Sequence, residues 1–257
     1  MAARRANPLP EALSALAAGL EARHGVPVRL HQQQAARLRL SVRAGELDVR
    51  WPIGFPVPDG QAFFEAQADW IRAQLDRHRL HASQLAGDLS LLDDATTGTL
   101  LAFGERRTPE PGKAFRLVDG RIELPPAYAA LDRNGRRAFL AQSLAHQLRA
   151  EIEQRLPQHA AVLGVAARRC TIKVMESRWG SMASSGRMSL ALALAFAPVS
   201  TLDYVLAHEL SHLHEPNHSK AFWAHVAHAY PAFRHERQRL VREGRRWMGL
   251  QRALVES

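Results

Sequence analysis

The chain of 257 residues contains one cysteine, Cys170. No disulfide can close within it, and any metal site has to be built mainly from histidine and carboxylate side chains. A lone cysteine also suits a reducing compartment. Long apolar runs are missing as well: nothing approaches the roughly 18 residues of a membrane span. Residues 1–7 carry Arg4 and Arg5 with no continuous apolar segment behind them, and Leu13, Leu16 and Leu20 are interrupted by Glu11, Ser14 and Glu21. That is the pattern of a short amphipathic helix and not of a signal peptide. These absences describe a soluble cytoplasmic protein. There is no internal repeat, no low-complexity linker, and no phosphate loop of the G-x-x-x-x-G-K-[ST] type. The last absence weighs against nucleotide hydrolysis.

Basic charge is in surplus. The net charge is +9 and the pI is about 10.8. Nucleic acid, nucleotides or another acidic partner fit such a surface. A composition rich in Arg and Ala accounts for it equally well without any partner. Hydrophobic residues make up 46% of the chain, enough for a real core.

The chemistry is concentrated in His208-Glu209-Leu210-Ser211-His212, followed by Leu213-His214-Glu215-Pro216-Asn217-His218. In H-E-x-x-H the two histidines lie one helical turn apart on one face, where both reach a single ion. Catalytic zinc typically takes three protein ligands and a water, and a glutamate after the first ligand can act as base on that water. The motif occurs by chance, and the chain has 13 histidines. Its setting argues against chance. Val205, Leu206, Leu210 and Leu213 give the helix a buried face, and Ser200-Thr201-Leu202-Asp203 resembles a capping box at its start. Pro216 ends the helix just past His214, which frees His218 to bend back. His214 competes as third ligand, but on a continuing helix it points about 200° away from His212. The expected ligands of a Zn²⁺ cofactor are therefore His208, His212 and His218, with Glu209 as general base. Glu215 and Asn217 are placed to orient a ligand or simply to make the turn. Arg178, Ser181 and Tyr230 are candidates for stabilising the oxyanion, and the strand from Met188, if it is a sheet edge, could bind an extended peptide.

Around the motif the periodicity predicts a helix over residues 8–24, a strand at 28–30, and a hairpin of 37–43 with 47–51 around Arg43-Ala44-Gly45-Glu46. A helix is expected over 60–78, short strands over 80–112, and a hairpin around Asp119-Gly120. A long helix should cover 133–155, stopped or kinked by Pro157. Strands are expected at 171–174 and 188–196, a loop at 177–181, and a helix capped by Ser219, with Pro231 marking another break. The tail from Phe233 is basic, with Glu236 and Glu243 interspersed as on a solvated helix.

The stretch Glu176-Ser177-Arg178-Trp179-Gly180-Ser181, then Leu190, Pro198, Tyr204-Val205-Leu206-Ala207, the histidine motif, Pro216-Asn217-His218-Ser219-Lys220-Ala221-Phe222-Trp223 and Tyr230-Pro231 resembles the YgjP-like metallopeptidase family. That family is related to the SprT-like and WLM-type zinc peptidases. Arg37-Leu38-Arg39-Leu40, Trp51-Pro52 and Trp70-Ile71 resemble it too, so the likeness covers most of residues 28–248. The resemblance implies an α+β, zincin-like metallopeptidase with a small mixed sheet, an active-site helix and an N-terminal β-rich part. It places the zinc ligands at His208, His212 and His218 and the catalytic glutamate at Glu209. The chain departs from the family at Met182, where Cys is usual, and near Ala191, where Asn is frequent, and residues 80–125 look like an insertion. The expected organisation is an N-terminal extension (1–26), a β-rich part of the same fold (27–130) and a catalytic part with a basic C-terminal helix (131–257). The activity implied is zinc-dependent hydrolysis of peptides or proteins, with no membrane involved. The alternatives are a metal-dependent nucleotide (pyro)phosphohydrolase, or a protease acting on nucleic-acid-bound proteins through a weak association of the basic surface.

Overall fold

A computed structural model of the chain describes residues 9–43, 45–166 and 169–256. Residues 1–7 of the expected extension, Pro8 and the turn residue Ala44 lie outside it. The chain is α+β and divides into two compact units, Met1–Ser83 and Gln84–Ser257. Among the described residues no helix is long and apolar enough to cross a membrane.

In the first unit, α1 (Glu11–His24) ends at Gly25, whose φ of 65° lets its N–H turn back to Glu21. Strands β1 (Val28–Gln33), β2 (Arg39–Arg43) and β3 (Glu46–Pro52) form a sheet in the order β1-β3-β2. The β2–β3 hairpin is the one expected, while β1 pairs in parallel with β3. Leu47, Val49 and Trp51 alternate inward and meet Leu13, Leu20, Phe64 and Ile71. The helix expected over 60–78 is two helices, α2 (Val57–Ala66) and α3 (Ala68–Asp88). Pro56 and Pro58 at its start set the dihedrals of the first turn of α2.

The second unit begins inside α3, so residues 80–88 are helical where strands were expected. A 3₁₀ turn at Ser90–Leu92 follows, then β4 (Leu100–Ala102), β5 (Glu105–Pro111), β6 (Arg116–Val118) and β7 (Arg121–Leu124), in the order β4-β5-β7-β6. The β6–β7 hairpin turns at Asp119-Gly120 as expected. After α4 (Pro126–Ala130) comes α5 (Arg133–Leu163), one continuous helix. Asp132 caps it by accepting from the Gly135 N–H at 2.7 Å. Leu140, Leu144, Leu148 and Ile152 form its buried stripe, each contributing roughly 1.5–3 kcal/mol. Pro157 neither stops nor ends this helix: the buried stripe resumes at Ala160 and Leu163 beyond it. A helical proline costs about 3 kcal/mol, which burial of Ala160 and Leu163 offsets in large part, at roughly 0.8 kcal/mol per CH₂ and roughly 1.5–3 kcal/mol for a leucine.

A second small sheet, β8 (Arg169–Lys173), β9 (Gly180–Met182) and β10 (Arg187–Ala191), has the order β8-β10-β9. The strand expected over 188–196 stops at Ala191, and Leu192–Phe196 is 3₁₀. Tertiary partners decide this. Ala193 N–H donates to Gln251 Oε1 at 3.0 Å, and the carbonyls of Ala195 and Phe196 accept from Phe103 and Gly104. The strand from Met188, β10, is paired on both sides and is not an edge; the edges of this sheet are β8 and β9. Helices α6 (Val199–Ser211), α7 (Lys220–Ala229) and α8 (Phe233–Val255) complete the unit, and α5 packs against all three.

Candidate active site

The motif residues lie on α6 and in the turn after it. Its start is not the capping box expected. Pro198 occupies the N-cap without a side-chain bond. Asp203 instead accepts from Arg155 Nη1 and His159 Nε2, both at 3.0 Å, and ties α6 to α5. Thr201 Oγ1 donates to buried Glu236 at 2.7 Å and ties α6 to α8. The end also differs. The helix closes at Ser211, well before Pro216. Ser211 Oγ bonds back to Ala207 O at 2.7 Å, and the N–H groups of His212, Leu213 and His214 reach carbonyls three residues earlier. This tightening of the last turn is what local side-chain competition produces. Pro216 and Asn217 carry the chain round, Ser219 Oγ accepts from the Phe222 N–H as expected, and α7 begins.

The result is convergence. His208, His212 and His218 each offer a ring nitrogen, and these nitrogens all lie within 4.8 Å of one another, a grouping found at no other place among the described residues. Nε2 of His208 and Nε2 of His218 are 3.2 Å apart. Two nitrogens at zinc–imidazole bond lengths and a tetrahedral angle would be separated by about 3.3 Å. His212 donates from Nδ1 to the main-chain carbonyl of Glu215 at 3.1 Å, which leaves its Nε2 lone pair free. The orienting group is thus the backbone of Glu215 and not its side chain. Burial, with the neighbouring His212 and His218, pushes the His208 imidazole down to about 3, and His218 is lowered for the same kinds of reason. Neutral imidazole is the form that binds a metal. The donor set and spacing fit a divalent ion such as zinc.

His214 is turned elsewhere. Its Nε2 is 2.8 Å from Leu163 O at the end of α5, and its ring stacks on His225. Glu209 is 5% exposed, and burial raises its carboxyl to about 7 against an opposing pull from Arg178. Both lie on an open cleft of about 560 Å³, together with the three histidines. Of the oxyanion candidates, Arg178 and Ser181 line this cleft. Tyr230 does not; it packs edge-on to His159.

Two residues that carry the family resemblance, but to which the sequence assigns no role, also belong here. Tyr204 is buried, lines the cleft and meets the His208 ring edge to face at 5.9 Å. It stands one turn before His208, so the same i, i+4 rule that pairs the histidines would have found it. Gly180 is the other. A Cβ there would fall 2.7 Å from Glu209 Oε1 and 2.8 Å from its Cγ and Cδ. The Trp179-Gly180-Ser181 stretch carries the resemblance, but nothing local ties Gly180 to Glu209, which is 29 positions away in the chain. Its position is fixed by Trp179, whose ring meets Trp247 edge-on and fills the space left by Gly244 on α8. Met182, where Cys is usual in the resembling family, also lines the cleft.

A family model described as the YgjP-like metallopeptidase domain matches residues 36–243. Among solved structures, the metallopeptidase zymogen abylysin of Pyrococcus abyssi is similar at 22% identity, over 36% of this chain and 93% of that one, with a TM-score of 0.34. No curated protein matches.

Proposed function

The chain belongs to the YgjP-like metallopeptidase family, and on that premise we propose that it hydrolyses peptide bonds with one zinc ion held by His208, His212 and His218 and with Glu209 as general base. The observation that carries this reading is the convergence of three imidazole nitrogens within 4.8 Å beside a buried carboxyl on the same helix. Three imidazoles with no thiolate suit zinc among the common metals. When bound, the ion supplies Lewis acidity that acidifies a water and polarises a carbonyl.

The protein's own groups do the rest. His212 is held in one orientation by the Glu215 carbonyl. Burial pushes the Glu209 carboxyl up, the direction that suits a group that has to accept and return a proton at neutral pH. Its carboxylate takes the proton from water on an Oε atom and then, as the acid, delivers it to the departing amine. Arg178 and Ser181, which line the cleft, are our candidates for donating to the developing oxyanion. The edge strand β9 forms part of the same wall, and its free edge can take an extended peptide. We assign the catalytic part to residues 131–257 and the working compartment to the reducing cytoplasm, consistent with the single cysteine.

The test uses purified protein on casein and on unstructured peptides, with nucleoside triphosphates as the competing substrate class. Peptide cleavage is expected, falling by about 10²–10⁴-fold in Glu209→Gln. Hydrolysis of triphosphates in place of peptides, or an active Glu209→Gln enzyme, would overturn the assignment.

A further inference from the structure

Beside the candidate metal site, α7 and α8 enclose a groove of about 840 Å³. Its floor is Trp223 and Phe233, stacked at 5.6 Å and 21°. Its rim is cationic: Lys220, Arg234, Arg237 and Arg242, with no acidic residue lining it. Arg242 pairs with Glu243 at 2.9 Å. Among the described residues, Lys220, Arg234 and Arg237 make no ion pair, whereas Arg239 and Arg246 on the same helix are committed to Glu236 and Asp88. Of the tail's arginines without an ion pair among the described residues, Arg234 and Arg237 line this groove together with Lys220 of α7, while Arg245 is exposed outside it.

The cations are also pre-positioned. The Arg237 guanidinium lies 4.7 Å over Trp223, and that of Arg234 lies 5.8 Å from the Phe233 centroid. A stacked guanidinium has lost part of its rotamer freedom before any ligand arrives, yet its edge N–H groups still face outward. The groove adjoins the site through Trp223, which lines the groove, stacks on His218 at 5.8 Å and lies 5.9 Å from the His208 ring. From His208 through Trp223 to Arg237 is at most about three residues of extended chain at ~3.3 Å each.

We propose that this groove is a specificity subsite that receives acidic side chains of a peptide substrate, within about three residues of the bond cleaved. The inference rests on the peptidase reading for its orientation, not for the groove itself. Carboxylates would find several unpaired donors in charge-assisted geometry. Single-stranded nucleic acid fits less well. It needs aromatic faces open for base stacking, and here the Trp223 ring is already packed by Phe233, His218 and Arg237.

The experiment measures binding as well as turnover on the full-length protein. Fluorescent peptides sharing one central segment carry either Asp and Glu, or Asn and Gln, at the flanking positions. Affinity is read by anisotropy with the Glu209→Gln protein, and kcat/KM with the unsubstituted enzyme, at low and high salt. The acidic peptide is expected to bind about tenfold more tightly at low salt, the sum of two or three partly exposed pairs. That ratio should fall to about one in Arg234→Gln/Arg237→Gln and be largely kept in Arg234→Lys/Arg237→Lys. Melting curves of both variants show whether the fold is retained. Equal affinity for the two peptides, or a preference that survives the double Gln variant, overturns the proposal. So does a single-stranded oligonucleotide of equal charge that outcompetes the acidic peptide and depends on the same arginines. Selective binding without cleavage would sink the peptidase reading and leave the subsite standing; cleavage without selectivity would do the reverse.

Discussion

A methyl group on Gly180 would lie 2.7 Å from Oε1 of Glu209. The glycine on the edge strand and the carboxylate on the motif helix therefore share one space, and the carboxylate occupies it only because residue 180 has no side chain. The nearest atoms belong to a flexible side chain and not to backbone. Gly180→Ala should accordingly fold with little loss of stability while displacing the carboxylate. Misplacement of a reacting group by about 1 Å can cost on the order of 100-fold in rate. The expected outcome is a kcat lowered by about 10- to 100-fold with a melting temperature near that of the unsubstituted protein. An unchanged kcat would show that Glu209 does not depend on the absence of a side chain at 180.

Asp88 carries the second prediction. It is fully buried at the end of α3, and it accepts from Arg246 Nε and Nη2 at 2.6 and 2.7 Å and from Arg106 Nε at 2.9 Å. Through it α8 is tied to the start of the second unit. Asp88→Ala strands Arg246, which is 26% exposed, without its carboxylate. Losing one partner of a buried pair costs about 3–5 kcal/mol, and partial exposure of the arginines lowers this to about 2–3. Urea unfolding should report that loss. A change below about 0.5 kcal/mol would mean that the pairing contributes nothing net.

Cys170 gives a pH-dependent prediction. Burial raises its thiol to about 11, with Arg149 pulling weakly the other way. Only the thiolate reacts, and a free cysteine has a pKa of about 8.5. At pH 8 alkylation of the folded protein should be on the order of 100-fold slower than that of a model thiol, rising about tenfold per pH unit up to pH 10. Denaturant should restore the model rate. Fast labelling of the native protein at pH 8 would contradict the assignment.

How much of this was legible in the sequence follows from how local each determinant is. H-E-x-x-H depends on a spacing of four within one helix, so the histidines could be paired on the page. The hairpins at Gly45 and at Asp119-Gly120 are also local, as is the Ser219 cap. What failed depends on distant partners. Leu192–Phe196 is as apolar as a strand, yet its backbone is claimed by Gln251, Phe103 and Gly104. Asp203 looked like a cap residue because its partners Arg155 and His159 lie 48 and 44 positions away. Pro157 reads as a stop or a kink because the buried Ala160 and Leu163, which carry the helix past it, are ambiguous in a sequence. At the candidate site, His208, His212, His218 and Glu209 can be grouped from their spacing, and the structure brings the three histidines together. The contact of Gly180 with Glu209 cannot be read that way, since a residue that acts by leaving space has no spacing rule of its own.

The central claim is a zinc ion on three histidines, and metal stoichiometry tests it most directly. Protein purified without chelator is measured by inductively coupled plasma mass spectrometry, beside His208→Ala and His212→Ala. The account predicts about one zinc per chain, the three-histidine complement of a catalytic site, retained through dialysis and lost in either variant. Protein free of zinc when prepared this way, or full occupancy surviving His212→Ala, would contradict it.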